Sequence, residues 1–117
     1  MRTFTAVIKK HQNLRAMKKF RIYQIREDAP DSRYIKFSSL EMLEHLELRD
    51  KLSLDLYEKV YEGEIEEPFD LEDIYCKFQG PKPECYKGHS LSISDLIEID
   101  EKFYYVDDFG FKEIQFS

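Results

Sequence analysis

"YKGHSLSISD" (86–95) sets a histidine beside serines at every second position and closes on an aspartate. Read as nucleophile, base and orienter, it would make the chain a hydrolase. Read as a turn entering a β-strand, it belongs to a sheet. The second reading wins on geometry. In an extended chain His89, Leu91, Ile93 and Asp95 point one way and Ser90, Ser92 and Ser94 the other. A base must reach its nucleophile at about 2.6–3.2 Å, and alternation puts these neighbours on opposite faces. No G-x-S-x-G elbow lifts a serine over a helix N-terminus. Gly88 then supplies a turn, His89 and the serines bond loop and edge backbone, and Leu91 and Ile93 enter the core.

Downstream, "LIEID" (96–100) and "FYYVD" (103–107) read as strands paired through a tight connection. "DFG" (108–110) turns, with Gly110 free to take φ > 0, and "FKEIQF" (111–116) closes as the last strand. Upstream, "LEDIYCKF" (71–78) places Leu71, Ile74, Tyr75 and Phe78 at i, i+3, i+4 and i+7, the stripe of a helix capped by Asp70. "LDLYEKVYEGEI" (54–65) alternates, with Leu54, Leu56 and Val60 on one face and Tyr57, Lys59 and Tyr61 on the other. "SSLEMLEHLELRDK" (38–51) reads as a helix with a capping box between Ser38 and Glu41 and a stripe of Leu40, Met42, Leu43 and Leu46. "FRIYQI" (20–25) and "RYIKF" (33–37) read as strands joined into a hairpin by the turn cluster "DAPDS". The expectation is an α+β fold, a mostly antiparallel sheet of five or six strands with two helices packed on one face.

At 117 residues the chain suits one domain with a core that needs no staples. Nothing like a linker divides it, so the expected organisation is a basic N-terminal arm or extra strand (1–19) and an α+β domain (20–117). The apolar run near the N-terminus is too short for a signal peptide, and nothing nears the ~20 residues of a membrane span. The expected setting is the cytoplasm, with Cys76 and Cys85 as reduced thiols. With His89 they make C-x8-C-x3-H, which lacks a fourth ligand. No metal, cofactor or catalytic residue is expected, since no P-loop, H-E-x-x-H or kinase motif set accompanies these residues.

Charge separates along the chain. Residues 1–26 hold eight Lys or Arg and no acid, while residues 27–117 hold ten against all 24 acids, a balance of −14. Such asymmetry suits either a basic arm folded over an acidic body or two surfaces for two partners. Direct nucleic-acid binding is expected at most through the arm. The body invites the opposite reading, an imitation of nucleic acid. Glu62, Glu64 and Glu66 fall at i, i+2 and i+4 and, if extended, line one edge with carboxylates ~6.7 Å apart. Glu67 and Asp70 extend the row, and Asp107 with Asp108 adds a second acidic corner. Such a surface would suit a protein with a Lys/Arg channel built for RNA or DNA. An edge strand charged against aggregation fits these residues as well. An aromatic surface around Tyr57, Tyr61 and Tyr104 is the alternative contact.

From about Phe20 to Phe116 the order of motifs resembles the YodL-like domain. The matching pieces are "RIYQI", "YEKVYEGEI", "LEDIYCKF", "YKGHSLSISDLIEID" and "FYYVDDFGF". The resemblance implies a small domain of conjugative elements, plasmids and phages of Gram-positive bacteria, with no agreed activity or cofactor. A free-standing protein of this kind also looks like the small type II anti-CRISPR proteins. That likeness implies a stoichiometric inhibitor of a host defence nuclease, a type II CRISPR effector, blocking guide RNA or target DNA. The alternative is a non-catalytic adaptor for conjugation or replication machinery, or for a host cytoskeletal protein.

Overall fold

Phe20, Ile22, Tyr23 and Ile25 are interleaved with Lys19, Arg21 and Gln24, which suits a strand with apolar groups on both faces. In the computed structural model, which describes residues 16–116, this stretch is strand β1 (Met17–Ile25). β1 lies between β2 (Tyr57–Glu66) and β3 (Leu96–Ile99). With β4 (Lys102–Val106) and β5 (Phe111–Ile114) they form an antiparallel sheet in the order β2-β1-β3-β4-β5. The fold is α+β, as expected, with a five-stranded sheet among the described residues.

Register sorts the core into two layers. Ile22, Ile97 and Tyr104 stand in one cross-strand row, and Tyr23, Leu96 and Tyr105 in the next, so the rows face opposite sides. On the first side Phe20, Ile22, Ile97 and Val106 pack against Ile74, Phe78 and Leu91. On the second, Ile25, Leu96, Tyr105 and Ile114 pack against Ile35, Leu43, Leu52 and Leu56. Three helices divide between these layers: α1 (Ser32–Ile35) and α2 (Leu40–His45) join the second, and α3 (Leu71–Lys77) the first. The expected placing of the helices on one face is therefore replaced by one helical layer on each.

Several local expectations hold. Asp70 caps α3 through a capping box with Asp73, and Ile74 and Phe78 are fully buried. The β3–β4 connection is a two-residue turn in which Asp100 and Glu101 both take positive φ (54° and 64°), the geometry that lets a right-twisted hairpin close. Gly110 turns the chain before β5 at φ 79°.

Others are corrected. "RYIKF" is no strand: Asp31 takes φ 58°, and short-range bonds such as Ile35 N to Asp31 O (3.0 Å) wind the segment into α1. Both edges of β1 are already filled by β2 and β3, which leaves no place for that hairpin. α2 is capped by Ser39, whose Oγ accepts from the Met42 amide at 3.1 Å, while Ser38 Oγ donates to the Tyr34 carbonyl. Of the expected stripe on α2, Leu43 is buried but Met42 and Leu46 are exposed. The β1–β2 register slips between Ile22 and Tyr23 of β1, leaving Val60 of β2 as an extra residue. That bulge breaks the expected alternation, so Val60 and Tyr61 pack in the same layer and Tyr57 in the other. Finally, residues 86–95 are loop, and the strand starts only at Leu96. Ser94 at φ 87° and a Ser92–Asp95 turn prevent extension.

β1 begins inside the segment expected as an arm, and the Glu67 amide bonds to the Ala16 carbonyl. The rest of that arm, up to residue 15, lies outside the described residues. Among the described residues no helix is long and apolar enough to cross a membrane.

Candidate functional site

The loop before β3 is organised by one side chain of β1. Gln24 is buried; its Nε2 donates to the His89 carbonyl (2.9 Å) and to Asp95 Oδ2 (3.0 Å), and its Oε1 accepts from the His89 amide (3.1 Å). Asp95 Oδ2 also accepts from the Ser92 amide at 2.8 Å. Burial pushes the Asp95 carboxyl up to about 8, against the pull of the Ser92 and Gln24 hydrogen bonds and of the Lys36 charge. Gly88 is required here, because a Cβ would lie 2.0 Å from Gln24 Oε1. The serines serve backbone: Ser92 Oγ donates to the Ser90 carbonyl, and Ser94 Oγ accepts from the Phe37 amide. His89 Nδ1 lies 2.7 Å from the Ser90 carbonyl. These hydroxyls are thus engaged in shaping the loop. Sequence reasoning identified their role but missed the Gln24–Asp95 hub, which joins residues 71 positions apart.

The predicted carboxylates fall into two places. Glu62, Glu64 and Glu66 share the outward face of β2, opposite Arg21, Lys19 and Met17 of β1. Glu62 accepts from Arg21 Nε and Lys59 Nζ, each at 3.0 Å, and Lys19 Nζ stands 3.8 Å away. Hydrogen bonds from Lys59 and Arg21 hold the Glu62 carboxyl below its ordinary range. Arg21 also reaches Glu98 at 3.5 Å, and Lys18 pairs with Asp100 at 2.9 Å. Over residues 17–26, then, the basic segment lies across an acidic sheet, and the row carries cations along its flank. Asp70 continues the chain from Glu67 but spends an oxygen on the Asp73 amide (2.9 Å).

Asp107 and Asp108 stand at the other side of the sheet, in the turn between β4 and the edge strand β5. The structure therefore does not bring them to the Glu62–Glu66 row. Asp107 Oδ1 accepts from the Leu40 amide (3.1 Å) and the Asp108 amide (3.0 Å), tying the turn to the start of α2. Together with Glu72 of α3 they rim a cleft of about 210 Å³ whose apolar lining includes Tyr75, Ile93 and Phe111. Glu72 was not singled out by sequence reasoning; its place three positions before Tyr75 was the available sign. Of the aromatic alternative, Tyr57 is withdrawn from the surface, buried and donating to the Ser94 carbonyl at 2.7 Å, while Tyr61 and Tyr104 are partly exposed and pack in part against the core. The exposed aromatics include instead Phe37 and Phe109.

Cys76 and Cys85 are exposed free thiols. Among the described residues no three His, Cys, Asp or Glu side chains gather as a metal site would require. A family model described as the YodL-like domain matches residues 19–116. No curated protein and no solved structure matches the chain.

Proposed function

The chain belongs to the YodL-like domain family, and from that premise we propose that it is a non-catalytic binding protein, a mobile-element inhibitor of a host defence nuclease. The target is most concretely a type II CRISPR effector, whose guide RNA and target DNA lie in strongly basic channels. The observation that carries this reading is the row of Glu62, Glu64 and Glu66 on the outward face of β2. Its step of ~6.7 Å is of the order of the spacing of phosphates on one strand. Glu67 and Asp70 follow it in the chain. Lys19 and Lys59 beside the row are about half exposed (56% and 49%), so basic groups of a partner can compete for its carboxylates. Inhibition is stoichiometric, by occupation of the channel.

A second reading rests on a different observation. Tyr34, Met42 and Leu46 of α1 and of α2 and its C-terminal cap are exposed, and a nucleic-acid mimic has no need of them. They suit an adaptor that docks on conjugation or replication machinery or on a cytoskeletal protein.

The test is inhibition of a purified type II nuclease by the wild type and by a Glu62→Gln, Glu64→Gln, Glu66→Gln variant. The wild type should inhibit near one-to-one and weaken steeply as salt rises, since exposed charges are screened within ~10 Å at 0.1 M. The variant should associate more slowly and inhibit poorly. Pre-loading guide RNA should protect the nuclease if guide loading is the blocked step, and should not if DNA entry is. Normal inhibition by the variant at physiological salt would end the mimicry reading and leave inhibition to another surface, whereas a wild type that leaves the nuclease active would favour the adaptor.

A further inference from the structure

We propose that Phe109 is the anchor of a protein interface, received by an apolar pocket that its partner frames with Lys or Arg. The ring is 87% exposed, yet it stands on a turn with little freedom. The Asp107 amide closes the turn on the Gly110 carbonyl at 2.9 Å, and Gly110 reverses the chain at φ 79°. Asp108 Oδ1 accepts from the Phe109 amide at 3.0 Å, and Asp107 Oδ1 ties the turn to the Leu40 amide of α2. A large apolar group held outward by a fixed backbone loses little freedom when bound, which is the economy of an interface hot spot.

The surroundings choose the partner. The cleft beside the turn is rimmed by Glu72, Asp107 and Asp108, and no residue that lines it is basic. A nucleic acid could stack a base on an exposed phenyl ring, but its phosphates would meet these carboxylates. An anionic membrane and a second copy of this acidic turn meet the same repulsion. A protein with a basic-rimmed apolar pocket meets none, and it can offer a side chain to the cleft above Tyr75 and Phe111. The inference rests on the proposed function insofar as both require a basic-surfaced protein, but its contact is separate from the β2 row.

The probe is the full chain with p-benzoyl-phenylalanine at position 109, irradiated in its native host, with the same group at exposed Glu84 as control. Cross-linked peptides are mapped by mass spectrometry, and the identified partner is purified for affinity measurement. Support is a cross-link from position 109, absent from the control, to apolar residues flanked by Lys or Arg. It also requires that Phe109→Ala weaken Kd by about 30-fold or more with an unchanged melting curve, and Phe109→Leu by less. Cross-links to nucleic acid, to another copy of this chain, or to nothing beyond the control overturn the proposal. So does a Phe109→Ala variant that binds the partner within about threefold of wild type. If the wild type leaves the nuclease active while the mapped partner passes these tests, the nuclease reading falls and the anchor stands. If Phe109→Ala inhibits the nuclease as the wild type does, the anchor falls alone.

Discussion

Asp95 has almost no exposed surface and titrates near 8, far above a free aspartate. Between about pH 4, where it titrates in the unfolded chain, and pH 8, the folded protein holds a proton that the unfolded chain releases. Stability from this group is therefore full at the acid end of that window and is lost as pH rises toward 8. The loss is on the order of 1.4 kcal/mol per pH unit before other groups contribute. Urea midpoints measured from pH 5 to 9 should fall in the wild type and fall much less in Asp95→Asn, which keeps an oxygen for Ser92 and Gln24. Parallel curves would show that the carboxyl ionises in place without cost. The sequence showed Asp95 as the end of an alternation and Gln24 as a polar residue in a strand. Nothing local links them, since the bond between them exists only once β1 and the 86–95 loop have met.

Among the elements, α3 was the most legible. Its stripe, its aspartate cap and its boundaries were all visible, because a cap and a 3.6-residue period report on neighbours in sequence. Phe78 has no exposed surface and meets the rings of Phe20, Tyr61 and Tyr86 at 6.0, 5.0 and 5.2 Å. Phe78→Ala should cost ~3–5 kcal/mol, read from chemical denaturation; a loss under about 1 kcal/mol would remove the stripe from the core. α1 was not legible, since "RYIKF" has the composition of a strand and becomes helical for want of an edge to join. β2 was legible in position but not in facing. The bulge at Val60 is set by its pairing with β1, and a bulge leaves no mark in alternation until the partner's register is known.

For the whole molecule, the segments of the five strands were readable, although "RYIKF" and the 86–95 run were wrongly read as strand beside them, but their order was not, nor was the division of helices between two faces. The acidic row was likewise visible in the sequence, whereas its flank of Arg21 and Lys19 needed the β1–β2 register. That register joins Tyr23 to Lys59 on one side of β1 and to Leu96 on the other, 73 positions away. A sheet built from such distant partners should fold on the millisecond-to-second scale rather than in microseconds, which stopped-flow refolding would measure. The order of synthesis adds its own constraint. β1 leaves the ribosome well before its second neighbour, and at 5–20 residues per second it waits roughly four seconds or more for β3. A nascent chain halted before Leu96 can complete neither layer, because both lack the strand through which their rows run. Such a chain should be a ready client for chaperones and proteases.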